Sequence, residues 1–175
     1  SSCGATCTVS GDPHYRTFDA AVHHWQGQCE YVLAKDCRSR GDDVFEVQVR
    51  NSKWLPGRKV SVTVGIAVRV PGVGVFELQR SISQNRFNGQ LMPQTPFSIG
   101  GVSVTSRPGR ATAITIQMPG IGSVQFDGGS TVRVTVLPQF KSRMCGLCAN
   151  YDDNRTNDGA AVSQNEFWKV DGLNI

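Results

Sequence analysis

Residues 144–158, with the sequence M-C-G-L-C-A-N-Y-D-D-N-R-T-N-D, concentrate the side chains best suited to bind a metal ion. Six Asn and Asp side chains fall within nine positions: Asn150, Asp152, Asp153, Asn154, Asn157 and Asp158. Three carboxylates this close together repel one another unless a cation lies among them. Carboxylate and amide oxygens are the ligands that Ca²⁺ prefers, at about six to eight per ion. The segment therefore predicts a calcium-binding loop.

The spacing of these ligands does not match an EF-hand. If Asn150 takes the first position of such a loop, Arg155 stands where the turn glycine belongs and Ala161 where the bidentate glutamate belongs. The alternative interpretation is a solvated surface turn, because Asn and Asp are common in turns of every kind. The loop by itself leaves both interpretations open.

The composition limits the class of protein. The chain has 175 residues, 39% of them hydrophobic, and its 19 glycines and many Val and Thr residues favour β structure. The net charge of +4 comes from scattered Lys and Arg residues, which argues against nucleic-acid binding. No apolar run reaches the ~20 residues of a membrane-spanning helix. The first residues lack the apolar segment of a signal peptide, so we expect any such signal to lie outside this sequence.

Six cysteines form two groups: Cys3, Cys7, Cys29 and Cys37 precede a long cysteine-free stretch, and Cys145 and Cys148 follow it. An even number of cysteines favours disulfides and hence an oxidising compartment. Bonds between the groups would close long loops, for which a disulfide removes the most unfolded-state entropy. A redox C-x-x-C motif would need an α/β fold, and a Cys₄ zinc site would need free thiols. Spacing alone does not select one pairing.

Alternating apolar and polar residues predict β-strands over most of the chain. Residues 44–50 place apolar side chains on one face and the polar Glu46 and Gln48 on the other, as in a half-buried antiparallel strand. The same alternation recurs at residues 60–70, 102–104, 114–116, 124–126 and 132–136. Asn88-Gly89 is a strong signal for a hairpin turn. This pattern predicts an all-β fold, an antiparallel two-sheet β-sandwich or a barrel.

Two other elements complete the predicted fold. Residues 22–33 predict a hairpin bent at Gln26-Gly27. Residues 163–170 predict a short C-terminal helix, because Ser163 and Glu166 have the spacing of a capping box. The chain shows no repeat and no linker, so we expect residues 1–175 to form one domain.

Three motifs in a fixed order resemble the von Willebrand factor type D domain. They are G-D-P-H-Y-R-T-F-D at 11–19, Q-G-Q-C-E-Y-V-L at 26–33 and C-G-L-C-A-N-Y-D at 145–152. The stretch V-Q-F-D-G-G-S-T-V-R-V-T-V at 124–136 is also similar to the strands before the last motif. The resemblance covers nearly the whole chain, and is greatest to the D domains of crossveinless/kielin-type BMP-binding proteins and of mucins.

This resemblance implies a secreted, calcium-binding β-sandwich. The ligands that it implies are Asp19, Asn150, Asp152, Asn157 and Asp158, completed by a main-chain carbonyl near Asn154 or Arg155. One ion would then lock an N-terminal hairpin to the C-terminal loop. The chain departs from the family pattern at Ala20 and Ala149, where the family has glycine. If either position requires a positive φ angle, its alanine strains the turn.

The resemblance also implies the disulfides Cys7–Cys148 and Cys37–Cys145. The family partner of Cys29 would follow Trp168, where this sequence has no cysteine, so Cys3–Cys29 is the remaining pairing. Asn154-Arg155-Thr156 is an N-glycosylation sequon, and a glycan there requires the Asn154 side chain to face outwards.

The motif Asp12-Pro13-His14 permits two interpretations. In some families with this motif the Asp12 carboxyl attacks its own main-chain carbonyl and the Asp–Pro bond breaks, with His14 as proton donor. The alternative is an intact, rigid turn.

No arrangement of residues predicts catalysis on an external substrate. We therefore expect an extracellular structural, adhesion and protein-interaction module whose partners are extracellular proteins or neighbouring domains. A BMP-type growth factor is the alternative partner.

Overall fold

The computed structural model describes residues 3–11, 13–24, 26–53, 57, 60–158 and 169–170. Within these residues the chain forms sixteen β-strands and three single-turn 3₁₀ helices, so the predicted all-β class with two antiparallel sheets is confirmed. The 3₁₀ helices are Ile82–Gln84, Pro138–Phe140 and Arg155–Asn157.

The first sheet has eight strands, three from the N-terminal segment and five from residues 97–136. In chain order they are β1 (Ala5–Ser10), β2 (His14–Arg16), β3 (Val22–His24), β10 (Phe97–Ile99), β11 (Val102–Arg107), β12 (Arg110–Met118), β13 (Gly122–Phe126) and β14 (Val132–Val136). Their spatial order is β10-β11-β12-β13-β14-β1-β2-β3. The pairing of β14 with β1 therefore joins the N-terminal strands to the later ones.

The second sheet is built mainly from the middle of the chain. Its strands are β4 (Glu30–Asp36), β5 (Glu46–Lys53), β6 (Ser61–Val70), β7 (Gly74–Gln79), β8 (Arg86–Phe87), β9 (Gln90–Leu91), β15 (Met144–Cys145) and β16 (Lys169–Val170). Their order is β15-β4-β5-β6-β7-β8-β9, and β16 pairs with the other end of β4. The last strands of the described chain thus close the edge of β4.

One hydrophobic core lies between the two sheets. In β14, Val132, Val134 and Val136 are fully buried while Arg133 is exposed, which is the period-two pattern of a strand with one face on a core. The core cluster also contains Ile66 and other apolar residues of the second sheet. Burying such side chains stabilises the fold by about 1.5–3 kcal/mol each.

A buried polar contact also crosses between the sheets. The Asn51 side chain in β5 donates a hydrogen bond to the Tyr15 hydroxyl in β2 (3.0 Å) and accepts one from the Thr63 hydroxyl in β6 (2.8 Å). Burial raises the pKa of Tyr15 to about 12, so the phenol stays neutral and keeps its proton for hydrogen bonding.

The structure corrects the predicted hairpin at residues 22–33. β3 pairs with β2 in the first sheet, whereas β4 pairs with β5 in the second sheet. The turn signal at Gln26-Gly27 therefore marks a crossing between sheets. The Gln26 side chain accepts a hydrogen bond from the Ser61 N–H (2.9 Å), a contact with β6 that no local pattern reveals.

The predicted helix at 163–170 lies largely outside the described residues, which stop at 158 and resume at 169. For its last two residues the prediction is wrong, because Lys169 and Val170 form β16 and pair with Tyr31 and Glu30. Backbone pairing to an available strand edge outweighs a local capping signal here. The Asn88-Gly89 hairpin is confirmed: both residues have positive φ, 50° and 80°, between β8 and β9.

The alternation at residues 44–50 is confirmed, but its polar face is not solvent-exposed. Glu46 and Gln48 are only 5% and 2% exposed. Glu46 lies 3.6 Å from the Lys35 ammonium and 4.0 Å from the Arg69 guanidinium, which compensate for burying its charge. The alternation predicts which side chains face away from the core. It does not predict whether those side chains are buried by other parts of the chain.

Candidate metal centre

The turn after β2 and the segment after β15 meet at one junction. Residues 17–20 form a turn in which the Ala20 N–H donates to the Thr17 carbonyl (3.0 Å). The Phe18 N–H donates to the Cys148 carbonyl (3.1 Å), which brings the C-x-x-C segment against this turn. The Cys7–Cys148 disulfide, with Cα atoms 5.7 Å apart, ties β1 to the same point.

Asp19 connects the turn to the C-terminal loop. Its carboxylate accepts hydrogen bonds from the Asp152 N–H (3.1 Å) and the Asp153 N–H (2.8 Å). The two residues that donate these bonds are more than a hundred positions away in sequence. The turn and the loop therefore share a contact that the residue pattern alone could not establish.

Three carboxylates lie together at this junction. Asp19, Asp152 and Asp158 each offer an oxygen, and these oxygens all lie within 4.8 Å of one another. Asp158 is the most buried of them, with 1% of its surface exposed. Such a group of like charges is unfavourable unless protons or a cation neutralise it.

The environment of Asp158 disfavours its charged form. Burial, followed by the charges of Asp19 and Asp152, raises the pKa of Asp158 to about 6, although a hydrogen bond from the Thr17 hydroxyl acts in the opposite direction. Its Oδ1 atom is buried and has no hydrogen-bond partner. Burial also raises the pKa of Asp19, against the effect of its two backbone donors.

Asp152 has the opposite environment. Its pKa is lowered, first by the Asn157 side-chain amide and further by the Asn154 N–H and the Asn150 amide, all of which donate to its carboxylate. Asp152 therefore remains ionised beside two carboxylates whose pKa values are raised. Unequal protonation within one cluster is the expected response to crowded negative charge.

Two of the predicted amide ligands take different positions. Asn150 is half-buried, and its Oδ1 atom is buried without a hydrogen-bond partner. The Asn157 side chain is exposed and donates to Asp152. These two amides flank the carboxylate cluster, whereas the exposed side chain of Asn154 accepts from the Thr156 N–H (3.1 Å) and caps a 3₁₀ turn.

The remaining loop residues surround the cluster. The Asp153 side chain forms an ion pair with Lys141 and is not one of the three clustered carboxylates. The main-chain carbonyls of Asn154 and Arg155 accept long hydrogen bonds from Asn157 and Asp158 (3.4 and 3.3 Å). Glycosylation of Asn154 stays a prediction, compatible with its exposed side chain.

The backbone of the junction is locally strained. Ala20 and Ala149 both have φ of 66°, so the two positions where the sequence replaces a family glycine are left-handed. Tyr151 and Asp153 also have positive φ, 53° and 64°, and nothing in the residue pattern predicted this. Non-glycine residues persist in this conformation only where the surrounding contacts enforce it, and they cluster at functional sites.

The cysteines follow two of the three expected pairings. Besides Cys7–Cys148, the structure has a Cys37–Cys145 disulfide with Cα atoms 5.9 Å apart. The Cys3–Cys29 bond is not formed, and this prediction is corrected. Cys3 lies exposed before β1 of the first sheet, and Cys29 lies half-buried before β4 of the second sheet.

The G-D-P-H motif is only partly described. Asp12 lies outside the described residues, so cleavage of the Asp12–Pro13 bond stays a prediction. Pro13 is buried, and His14 is exposed with its ring edge-on to His24, at a centroid distance of 4.4 Å. His14 is therefore not packed in the core.

Sequence reasoning missed two residues at the junction. Thr17 is fully buried and donates its hydroxyl to Asp158; its position beside Phe18-Asp19 was the only available signal. His23 stacks on Tyr15 at a centroid distance of 4.9 Å, and its Nε2 lies 3.4 Å from the Leu147 carbonyl. Burial lowers the pKa of His23, so it remains neutral at pH 7.

Fold and junction together define a disulfide-linked, all-β module of the extracellular type. The chain belongs to the von Willebrand factor type D domain family, whose family model matches residues 7–163. It is 35% identical to zonadhesin of Sus scrofa over 97% of this chain, 31% identical to alpha-tectorin of Mus musculus over 88%, and 32% identical to mucin-5AC of Homo sapiens over 96%.

These relatives are much longer proteins. The chain spans 7% of the zonadhesin and alpha-tectorin sequences and 3% of the mucin-5AC sequence. They are extracellular adhesion or matrix proteins, and this domain is likewise extracellular. Among the described residues, no helix is long and apolar enough to cross a membrane.

Proposed function

We propose that this domain is a calcium-clamped adhesion and interaction module, in which one Ca²⁺ ion joins the turn at Asp19 to the loop at 150–158. The observation that carries the proposal is the cluster of Asp19, Asp152 and Asp158, whose carboxylate oxygens lie within 4.8 Å of one another. Such a cluster is costly without a cation and favourable with one.

The donor set fits Ca²⁺ in its chemistry. Three carboxylates and the amide oxygens of Asn150 and Asn157 are hard ligands, and the group contains no sulfur or imidazole that would favour zinc or copper. The orphaned oxygens of Asn150 and Asp158 supply independent support, because buried acceptors in native proteins normally have a partner.

A bound cation would act as a structural cross-link. It would neutralise the repulsion among the three carboxylates and keep Asp158 ionised at neutral pH. Because Asp19 belongs to the first sheet's turn and Asp158 ends the described loop, the ion would hold together segments that are far apart in sequence. Such a rigid junction would transmit load between domains or present a fixed surface to a partner.

Calcium dependence of thermal unfolding tests this proposal. A ligand that binds only the folded state at about 100 times its dissociation constant adds ~2.7 kcal/mol of stability. For a domain of this size that corresponds to a rise of about 5–10 °C in Tm. We expect this rise when Ca²⁺ replaces chelator, and isothermal titration calorimetry should give one site per chain.

Two variants distinguish the site from general charge effects. Asp158→Asn should weaken calcium binding at least about tenfold, the effect of losing ~1.4 kcal/mol of binding free energy. Asp153→Asn is the matched control, because its carboxylate pairs with Lys141 outside the cluster, and it should retain wild-type affinity. An unchanged Tm in chelator, or equal loss in both variants, would refute the proposal.

The partner of the module is a further part of this proposal. Extracellular proteins or neighbouring domains of the same chain are the partners that fit an adhesion module. Binding of a BMP-type growth factor stays a prediction, because no contact among the described residues bears on it. A pulldown with a purified BMP in calcium-containing buffer tests it directly.

A further inference from the structure

The two sheets differ sharply in their charged residues. None of the eight strands of the first sheet contains Asp or Glu, yet these strands contain Arg16, Arg107, Arg110 and Arg133. The strands of the second sheet carry both signs, with Glu30, Asp36, Glu46 and Glu77 beside six Lys and Arg residues. The acid-free strands therefore form a region of positive charge in a chain whose net charge is modest.

Strand register places two of these arginines in one row on the outer face. The row crosses six strands through Thr105, Thr115, Gln125, Arg133, Thr8 and Arg16, each paired with the next. The adjacent row contains Ser103, Gln117, Ser123, Thr135 and Thr6. All of these side chains are exposed or half-exposed, while the alternate residues face the core. We call this surface the arginine–threonine face.

The spacing within the row is set by the sheet. Neighbouring strands lie about 4.8 Å apart, so the backbones of Arg133 and Arg16 are separated by roughly 10 Å with Thr8 between them. Arg107 in β11 lies three strands from Arg133, or roughly 14 Å. In the part of the chain that the structure describes, no carboxylate forms an ion pair with any arginine of the first sheet.

A shallow depression lies on the same face. Its volume is about 350 Å³, and its walls include Thr105, Arg107, Thr115, Gln125 and Arg133. The carboxylate in its wall, Asp127, accepts hydrogen bonds from the N–H groups of Gly129 (2.8 Å) and Thr131 (3.0 Å) in its own turn. The depression thus combines hydroxyl and amide groups with two guanidinium groups that have no ionic partner among the described residues.

We propose that the arginine–threonine face binds a linear sulfated polysaccharide. Guanidinium groups bind sulfate and carboxylate oxygens through paired hydrogen bonds. The hydroxyl and amide side chains between the arginines can exchange hydrogen bonds with sugar hydroxyls, since each offers both donors and acceptors. A linear anionic chain lying across the strands would meet positive charge at intervals of roughly 10–14 Å.

The composition of the face argues against two other polyanions. Single-stranded nucleic acids are held by stacking on aromatic side chains, and neither row of the face contains one. Protein partners need a buried apolar or aromatic anchor at the interface centre. The large exposed hydrophobic residue of β1–β3 is Val22, which lies at the end of the row, beyond Arg16.

Retention on immobilised heparin tests the proposal with the 175-residue chain. We expect wild-type protein to bind in 0.15 M salt and to elute as salt rises, since the contacts are ionic. The double variant R16Q/R133Q should bind heparin at least about tenfold more weakly. The control R38Q/R40Q removes the same charge from the exposed loop between β4 and β5 and should bind like wild type.

Further probes fix the chemistry of the ligand. Desulfated heparin and polyglutamate should bind much more weakly than heparin. If polyglutamate bound as tightly as heparin, the face would instead bind acidic proteins. If R16Q/R133Q and R38Q/R40Q lost heparin affinity equally, the binding would depend only on net charge. Either result overturns the proposal. So does wild-type binding by R16Q/R133Q.

An independent measurement avoids the risk that a variant misfolds. Amide chemical shifts of the wild-type protein titrated with a heparin oligosaccharide should change at Thr8, Gln125 and Arg133 and not at residues 38–43. Changes confined to other surfaces would contradict the proposal. Heparin binding should be measured both in calcium and in chelator. The arginine–threonine face and the carboxylate cluster share no residues, so the two measurements test the two sites separately.

Discussion

The carboxylate cluster and the arginine–threonine face solve the problem of like charge in opposite ways. Asp19, Asp152 and Asp158 have oxygens within 4.8 Å of one another, and Asp158 is buried. At about 4 Å two like charges repel by ~4 kcal/mol at an effective dielectric constant of 20. The cluster therefore needs either a proton or a cation to offset this repulsion.

The arginines of the first sheet are far enough apart to need none. Arg16 and Arg133 are exposed and their backbones are separated by roughly 10 Å, a spacing at which salt at the physiological screening length of about 8 Å weakens the repulsion between their charges. Solvent surrounds each of these guanidinium groups separately, so both groups remain available to an external anion. The comparison indicates that distance and burial, and not charge count, decide whether charges serve the fold or a partner.

The largest expected effect concerns the covalent link at the carboxylate cluster. Replacing Cys7 and Cys148 with alanine should lower stability by about 2–5 kcal/mol, because a bond of sequence separation 141 is lost. Calcium should still raise the Tm of this variant, since Asp19 and Asp158 remain. Thermal unfolding with and without calcium measures both effects.

The Cys29→Ala variant serves as the control for loss of a cysteine, and should remain within about 1 kcal/mol of wild type. If calcium did not raise the Tm of the Cys7/Cys148 variant, calcium binding would depend on the disulfide. The disulfide and the ion would then not stabilise the junction independently.

The next effect is the pH dependence of Asp158 without calcium. Its folded pKa of about 6 lies above the ordinary value of 3.8, so its ionisation costs stability as pH rises through 6. Asp158→Asn should therefore be more stable than wild type by about 1–2 kcal/mol at pH 7.5 in chelator. The advantage should shrink as pH falls from 6 and disappear below about 3.8.

This experiment uses the difference between variant and wild type because His23 titrates in the same range. Burial lowers the pKa of His23, so protonation as pH falls through its unfolded pKa reduces stability in both proteins equally. With calcium the sign should reverse, and wild type should be the more stable protein at pH 7.5. A pH-independent difference in chelator would contradict the crowded-carboxylate account.

A smaller effect tests the strained backbone at the cluster. Ala20→Gly and Ala149→Gly should each raise the free energy of unfolding by about 0.5–1 kcal/mol, because both positions have φ of 66° and glycine tolerates this conformation. Chemical denaturation measures the change. Ala67→Gly in β6, a buried position without positive φ, should instead destabilise the protein.

The smallest expected effect concerns the arginine–threonine face. R16Q/R133Q should unfold within about 0.5 kcal/mol of wild type and bind calcium with unchanged affinity, since exposed charges contribute little to stability. Thermal unfolding and calorimetry check this. A destabilisation above about 1 kcal/mol would mean that these arginines serve the fold, and the contrast between the two regions would fail.

Much of the site could be inferred from sequence because its residues carry local chemical signals. Asp152 and Asp158 lie in one acidic loop, and the three ordered motifs identified Asp19 by resemblance. Thr17 could not be inferred, because a threonine before an aromatic residue has no distinctive chemistry until Asp158 is packed against it. The positive φ of Tyr151 is likewise imposed by packing and not by its own preference.

The amino-acid sequence by itself determined the strands, since apolar alternation depends only on neighbouring residues, and it determined the Asn88-Gly89 turn for the same reason. Only the tertiary structure decided that residues 26–29 cross between sheets, that Cys3 and Cys29 do not form a disulfide, and that Arg133, Thr8 and Arg16 form one row. Each of these depends on which strands become neighbours, and pairing between distant segments is set by the shared core.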